Sequence, residues 1–257
     1  MKDLKEIFEY RNMITMLVKR DLRGRYRGSV LGFAWTFINP LLQLLVYTVV
    51  FSFVMRANIE KYYLFVFVAL IPWLAMSGSV TGGSNCILIN KTMVTKIYFP
   101  RQVLPIATVT AAFVNMLLSM VVVLIVCLIA NGLNFLVLWY LIPTILIEYI
   151  LALGIALIVS AVTVYFRDLE HILQIFVMAW QFLSPIVYSI DMVPERARHL
   201  FMLNPMASII ISYRDVLYYK QAPDLSTMLL ALGMGIVFLI AGWFIFKKLN
   251  RRFAEVL

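Results

Sequence analysis

The sequence is short of charge, of cysteine and of histidine, and each shortage removes a class of protein. Only 14% of its 257 residues are Asp, Glu, Lys or Arg, where a soluble domain carries about a quarter. The chain is 63% hydrophobic with a mean hydropathy of +0.93, more apolar side chain than one soluble core of this size can hide. Cys86 and Cys127 lie on different segments, and His171 and His199 stand alone. Neither a disulfide framework nor a metal centre is expected from that spacing. The acids are few, with Glu148, Asp168 and Asp191 scattered over distant segments. A membrane-embedded glycosyl or acyl transferase needs acid and base groups gathered at one face, so that class is disfavoured. No repeated filter or acidic ring speaks for a channel. No Gly-x-x-x-x-Gly-Lys-Ser/Thr loop occurs, so the chain has no phosphate cradle with which to hydrolyse ATP by itself.

What is abundant is uncharged length. Charge-free runs cover 28–55, 62–90, 102–147, 149–166, 172–190 and 225–246, and a membrane-spanning helix needs about 20 mostly apolar residues. The run 102–147 is too long for one helix and breaks at Asn131-Gly132-Leu133-Asn134, where turn chemistry predicts a break. The expected fold class is therefore an all-α integral membrane protein with six transmembrane helices. The spans fall near 31–55, 62–82, 103–130, 135–164, 172–190 and 226–246. They form one transmembrane domain over residues 1–257. No removable signal peptide is expected, because residues 1–27 are too charged and the first apolar run is too long.

The net charge of +9 follows the positive-inside rule better than it suits nucleic acid. With the N-terminus inside, the pieces 1–30, 83–101, 165–171 and 247–257 carry 16 of the 22 Lys and Arg. Both termini are then cytoplasmic. Arg11, Lys19, Arg20, Arg23, Arg25 and Arg27 lead into the first apolar run, where they anchor that span against an anionic inner leaflet.

Residues 4–22 repeat apolar side chains at a helical period through Leu4, Ile7, Phe8, Ile14, Leu17, Val18 and Leu22. A basic amphipathic helix of this kind lies in the interface plane. The piece 83–101 carries a short helical pattern with Asn90, Lys91, Thr92 and Lys96 as polar grip. It serves either to dock a soluble partner or as an ordinary connecting turn. In the tight turn Val164 to Ile172, Arg167 and Asp168 are adjacent, and such charges pair, cap helix ends by the dipole rule or contact a partner. Residues 191–224 read as two short amphipathic helices, about 195–203 and 206–219, punctuated by Pro194 and Asn204-Pro205. Non-helical backbone at that depth is tolerated only where protein buries it or water lines it, which points to an outer gate. Glu148 sits about 20 Å into span four at 1.5 Å per residue, where a carboxyl faces protein or water. Three fates are open to it: hydrogen bonding to a neighbouring helix, lining a path, or proton coupling.

The motifs "RYRGSVLGFAWTFINP" (25–40), "IPW" (71–73), "KIYFPRQVLP" (96–105), "VYFRDLEHIL" (164–173), "SPIVYSIDMVP" (184–194) and "LNPM" (203–206) carry a resemblance. In their order and spacing the chain resembles the ABC-2 type export permeases of O-antigen polysaccharides and teichoic acids. The resemblance implies a homodimer of permeases working with two separate ATPase subunits in the bacterial cytoplasmic (inner) membrane. ATP and Mg bind those subunits, and this chain holds no cofactor. It implies a coupling role for Asn90, Lys91, Thr92, Lys96, Arg167 and Asp168, and an outer gate around Pro194, Asn204 and Pro205. Glu148 departs from the family pattern, which is apolar there, and no role is transferred to it. The implied cargo is a lipid-linked polysaccharide, with a teichoic acid as the alternative. Aromatic side chains suit the apolar faces of sugar rings, so Phe33, Phe37, Tyr47, Phe51, Trp180, Phe182 and Tyr188 are the expected path lining, although aromatics also pack helices and form interface belts.

Overall fold

The computed structural model describes residues 2–26, 28, 30–50 and 59–256. Helices α1 (Lys2–Glu9) and α2 (Arg11–Tyr26) come first, and α3 (Trp35–Thr48) follows a 3-10 turn at Gly32–Ala34. Next are α4 (Tyr62–Ile89), α5 (Lys91–Lys96), α6 (Val103–Ala130), α7 (Phe135–Leu138) and α8 (Leu141–Tyr165). The remainder is α9 (Leu169–Leu183), α10 (Glu195–Met202), α11 (Pro205–Arg214), α12 (Leu225–Asn250) and α13 (Phe253–Val256). A π turn, Asp215–Tyr219, extends α11. Four helical stretches, α4, α6, the α7–α8 pair and α12, are long and apolar enough to cross a membrane.

Helix α4 is the centre. Every residue from Leu64 to Leu70 is at most 1% exposed, as expected of a helix that is hydrophobic all round. Helix α12 is the opposite case. It buries Met228, Ala231, Gly235, Gly242 and Phe246 and leaves Leu229, Val237, Ile240 and Phe244 outside, an apolar outer face suited to lipid. Helices α8 and α12 make the most extensive pairing. Gly154 and Gly242 permit it, because a Cβ on Gly242 would collide with the carbonyl oxygen of Gly154.

Asn134, Asn204 and Asp224 cap α7, α11 and α12 by accepting from Leu136 N, Met206 N and Thr227 N, each at 3.1 Å. Such caps satisfy backbone donors that a helix start leaves free. At one end of the bundle three turns are laced together. Lys61 Nζ donates to Asn131 Oδ1 (3.3 Å), Asn131 Nδ2 to Tyr218 O (2.8 Å) and Lys220 Nζ to Asn131 O (3.0 Å). At the opposite end, Leu17 and Val18 of α2 pack with Ile87, Val94, Phe246 and Phe253.

Several boundaries differ from the sequence reading. The amphipathic stretch 4–22 is two helices jointed at Tyr10, yet Ile14, Leu17, Val18 and Leu22 do turn toward the bundle. Helix α4 runs on to Ile89, so the loop expected from residue 83 starts at Asn90. Gly83 is a packing glycine there, with a Cβ at that position lying 3.0 Å from Ala156 Cβ. The first apolar run becomes helical only at Gly32–Ala34 and Trp35, and its end, including Phe51, lies outside the described residues. Span five, expected over 172–190, is helical only to Leu183, because Pro185 removes a donor and clashes with the preceding turn.

Candidate functional site

Helix α9 has 15 residues, about 22 Å at 1.5 Å per residue, and a hydrocarbon core is ~30 Å thick. The chain continues as irregular backbone over 184–189. Its carbonyls and those of the last helical turn find side-chain donors. Ser184 Oγ donates to Trp180 O (2.9 Å), Tyr188 Oη to Phe182 O (3.1 Å), and Asn204 Nδ2 to Leu183 O (3.2 Å). Tyr62 Oη donates to Val187 O (2.8 Å), and Arg214 donates to Ile186 O (2.6 Å) and Tyr188 O (3.3 Å). A break in low-dielectric surroundings persists only when its polar groups are met this way.

Arg214 is the keystone of that arrangement. Its side chain is 3% exposed, donates through Nε to Phe65 O at 3.3 Å and lies 3.4 Å over the Phe65 ring. Among the described residues no carboxylate comes within ion-pair distance of it. The adjacent Asp215 instead accepts from Gln221 Nε2 at 2.8 Å. Carbonyl dipoles and one ring face therefore surround the cation. One residue earlier, Tyr213 donates to Glu148 Oε2 at 2.6 Å, with both side chains fully buried. Helix α11 is thus fixed to α8 by Tyr213 and to α4 by Arg214. Asn204 holds it to α9, its Oδ1 accepting from Trp180 Nε1 at 2.8 Å. Of Glu148's three fates, the geometry gives the hydrogen bond to a neighbouring helix; Glu148 Oε1 has no partner among the described residues.

A cavity of about 500 Å³ lies between α3, α4 and α6. Thr36, Asn39, Asn115 and Ser119 supply hydroxyls and amides, and Trp35 supplies a ring, with no ionisable side chain among the described lining residues. Ser119 Oγ donates to Thr36 O at 3.2 Å, which places the start of α3 beside a residue about 24 Å along α6. The cavity is at mid-depth. A second cavity, about 540 Å³ and largely apolar, is bounded by Trp180, Phe201, Asn204, Pro205 and Phe238.

The expected path aromatics do not form one wall. Trp180 is buried edge-to-face on Trp73 with ring centroids at 5.5 Å. Tyr47 accepts from Gln181 Nε2, and Tyr188 packs on Phe201. Phe182 is exposed, whereas Phe33 and Phe37 sit edge-to-face on each other at 5.6 Å. Of the expected gate residues, Pro194 is exposed ahead of α10, and Asn204-Pro205 starts α11. At the other end, Asn90 bridges elements: its Oδ1 accepts from Arg20 Nη2 at 2.8 Å and its Nδ2 donates to Cys86 O at 2.7 Å. Lys91, Thr92 and Lys96 are exposed on α5, which is pinned by buried Val94.

Arg167 and Asp168 are both exposed and make no ion pair with each other. Adjacent residues on a helical turn point apart. The acid that ties this turn is Glu170, whose Oε1 accepts from Asn85 Nδ2 at 2.8 Å. Sequence reasoning passed over Arg214, Tyr213 and Tyr62. The available signal was a cation directly following the apolar run Ile209-Ile210-Ile211-Ser212-Tyr213.

Helices with apolar outer faces that enclose uncharged polar space at mid-depth define an integral membrane transport protein. More particularly, the chain belongs to the ABC-2 type transporter family, whose model matches residues 12–218. It is 37% identical over 257 residues to the O-antigen export system permease protein RfbA of Myxococcus xanthus, covering 98% of each chain. It is 33% identical over 248 residues to the protein of the same name from Klebsiella pneumoniae, covering 96% of this chain and 95% of the other. The capsule polysaccharide export inner-membrane protein CtrC of Neisseria meningitidis is 23% identical over 212 residues, covering 79% of this chain and 78% of its own.

Proposed function

We propose that the chain is the permease subunit of an ATP-driven exporter that moves a lipid-linked polysaccharide across the cytoplasmic membrane. The observation that carries the cargo class is the mid-depth cavity, whose described lining is amides, hydroxyls and one indole without a charged group. A neutral glycan offers hydroxyls and apolar ring faces to such a lining. A polyol phosphate polymer carries an anion at each repeat and needs cations along its path. The similarity to polysaccharide export permeases supports the same choice.

In this reading the chain crosses six times, with α3 completing the first crossing from mid-depth, α9 as a short crossing, and both termini cytoplasmic. The cation-rich end, with Lys91, Lys96, Arg167 and the C-terminal Lys and Arg, faces the cytoplasm, and α10 and α11 form the outer gate. Two copies work with two ATPase subunits, which bind ATP and Mg. Helix α5 and the turn at Arg167-Asp168 meet those subunits. Helix α4 then carries motion over about 40 Å, from Asn90 to Tyr62, which bonds the broken segment, and to Phe65, which holds the Arg214 that bonds it.

Proteoliposomes containing the chain and its ATPase test this directly. The expected result is ATP-dependent flux of the lipid-linked glycan. Asn115→Leu should lower that flux and leave basal ATPase activity intact. Equal flux of a polyol phosphate polymer refutes the cargo assignment. Lys91→Glu/Lys96→Glu should cut stimulated ATPase activity and export while membrane insertion persists, and unchanged export sinks the coupling role.

A further inference from the structure

A cavity of about 380 Å³ opens at the end of the bundle that carries Asn90. The segment from Ile97 to Gln102, Glu6 of α1 and the C-terminal turn of α12 enclose it. Among the described lining residues three cations, Arg101, Lys247 and Arg251, stand against one acid, Glu6, and Glu6 already accepts from Tyr98 Oη at 3.2 Å.

Arg101 is set in place by its neighbours. Its Nη1 donates to Asn250 O (2.7 Å) and Asn250 Oδ1 (3.1 Å), and its guanidinium lies 5.8 Å from the centre of the Phe253 ring. The Nε and Nη2 donors have no protein partner among the described residues. That free edge is the fork geometry that takes a phosphate or carboxylate in two-point fashion. Burial holds the guanidinium below its ordinary range, a cost that an anion beside it offsets. Gln102 lines the same cavity. It is only 8% exposed, and its amide has no hydrogen-bond partner among the described residues.

The surface above the cavity identifies what kind of anion fits. Val237, Ile240 and Phe244 are exposed on α12, and Lys247 and Arg251 continue the same series. Steps of three and four residues put all five on one helix face. The outward stripe is thus apolar along its length and turns cationic at its last turn. A molecule with an acyl chain and an anionic head matches that stripe, and a free anion matches only its end.

We infer that this cavity binds the phosphodiester headgroup of an anionic phospholipid, held by Arg101, Lys247, Arg251 and Gln102, with an acyl chain lying along Val237, Ile240 and Phe244. Basic recesses between membrane helices are suited to such heads, and a protein contact at this rim is the competing occupant.

The test is native mass spectrometry of the full chain in detergent, titrated with phosphatidylglycerol and, separately, phosphatidylcholine. The expected result is retention of phosphatidylglycerol at least fivefold above phosphatidylcholine. Arg251→Gln, an exposed position that folding tolerates, should lower retention about fivefold, and Arg101→Gln should lower it further. Lys248→Gln, off the stripe, should leave retention unchanged. Equal retention of the two lipids, or full retention by Arg251→Gln, overturns the inference. Displacement of the lipid by millimolar inorganic phosphate shows a free-phosphate site instead and also overturns it. Undiminished lipid retention in Arg251→Gln, with loss of co-purifying ATPase, reassigns the cavity to a protein contact.

Discussion

Arg214→Met keeps most of the side-chain volume and removes the donors where α11, α4 and the broken segment meet. Phe65 O keeps its own place in the α4 ladder, so the two acceptors left bare are Ile186 O and Tyr188 O. A buried acceptor without a partner costs about 1–3 kcal/mol, and the lost contact with the Phe65 ring adds about 1–2 kcal/mol. Against this, methionine relieves the desolvation of a guanidinium that has no carboxylate near it, a term of several kcal/mol. The orphaned carbonyls win, because no other donor reaches them, and a net loss of about 3 kcal/mol follows. At ~2–4 °C per kcal/mol for a chain of this size, Tm falls by about 6–12 °C. The assay is the thermal transition of the purified chain in detergent, read as loss of the monodisperse peak on size exclusion. Tyr62→Phe, which bares only Val187 O, should cost about 1 kcal/mol. An unchanged or raised Tm for Arg214→Met refutes the reasoning, since the buried charge would then outweigh the bonds it makes.

Glu148→Gln retains an acceptor for Tyr213 Oη and should fold and transport nearly as the parent, whereas Glu148→Leu strands that hydroxyl and should cost about 1–3 kcal/mol; thermal transitions and flux of both variants check this. Arg167→Ala and Asp168→Ala should each leave Tm within about 1 °C, because exposed groups that do not pair contribute little, while Glu170→Ala, which breaks the bond from Asn85, should lower it more. Hydrogen bonds from Ser226 and Thr227 hold the Asp224 carboxyl below its usual range. Its folded-state pKa being depressed, its contribution is full at neutral pH and is lost as pH falls through that value, below about pH 4. Asp224→Asn should therefore flatten the acid limb of the stability profile, and a profile identical to the parent's excludes the cap as its cause.

The parts legible in the sequence were those that the solvent dictates. Charge-free length marked the four long crossings, and helical spacing marked the inward face of α2. The helix boundary at Asn204-Pro205 could be read as well, because it depends on neighbours along the chain. The break in α9 was not read, although Pro185 announces one, because an apolar run says nothing of where helical bonding stops. Gly82-Gly83 looked like the end of a span and is instead a crossing point, since small residues serve turns and close packing alike. Arg214 fell inside the helix expected over 206–219 and drew no reading of its own. Its meaning depends on carbonyls of Phe65, Ile186 and Tyr188, which no local pattern brings together. Of the readings open to Arg167 and Asp168, pairing fails, because adjacency on a helical turn separates side chains.

The glycine contact between α8 and α12 limits how this molecule can move. With Gly154 and Gly242 touching backbone to backbone, neither helix can slide by a residue or roll about its axis without driving a side chain into the other's main chain. The two behave as one beam. Any working stroke has to swing that beam whole, and the bending falls to places without regular hydrogen bonding, 184–189 and the 3-10 entry to α3. A larger residue at Gly242 would part the beam, so its signature is loss of concerted motion, with the contacts of Tyr62, Asn204 and Arg214 still present but no longer timed to one another.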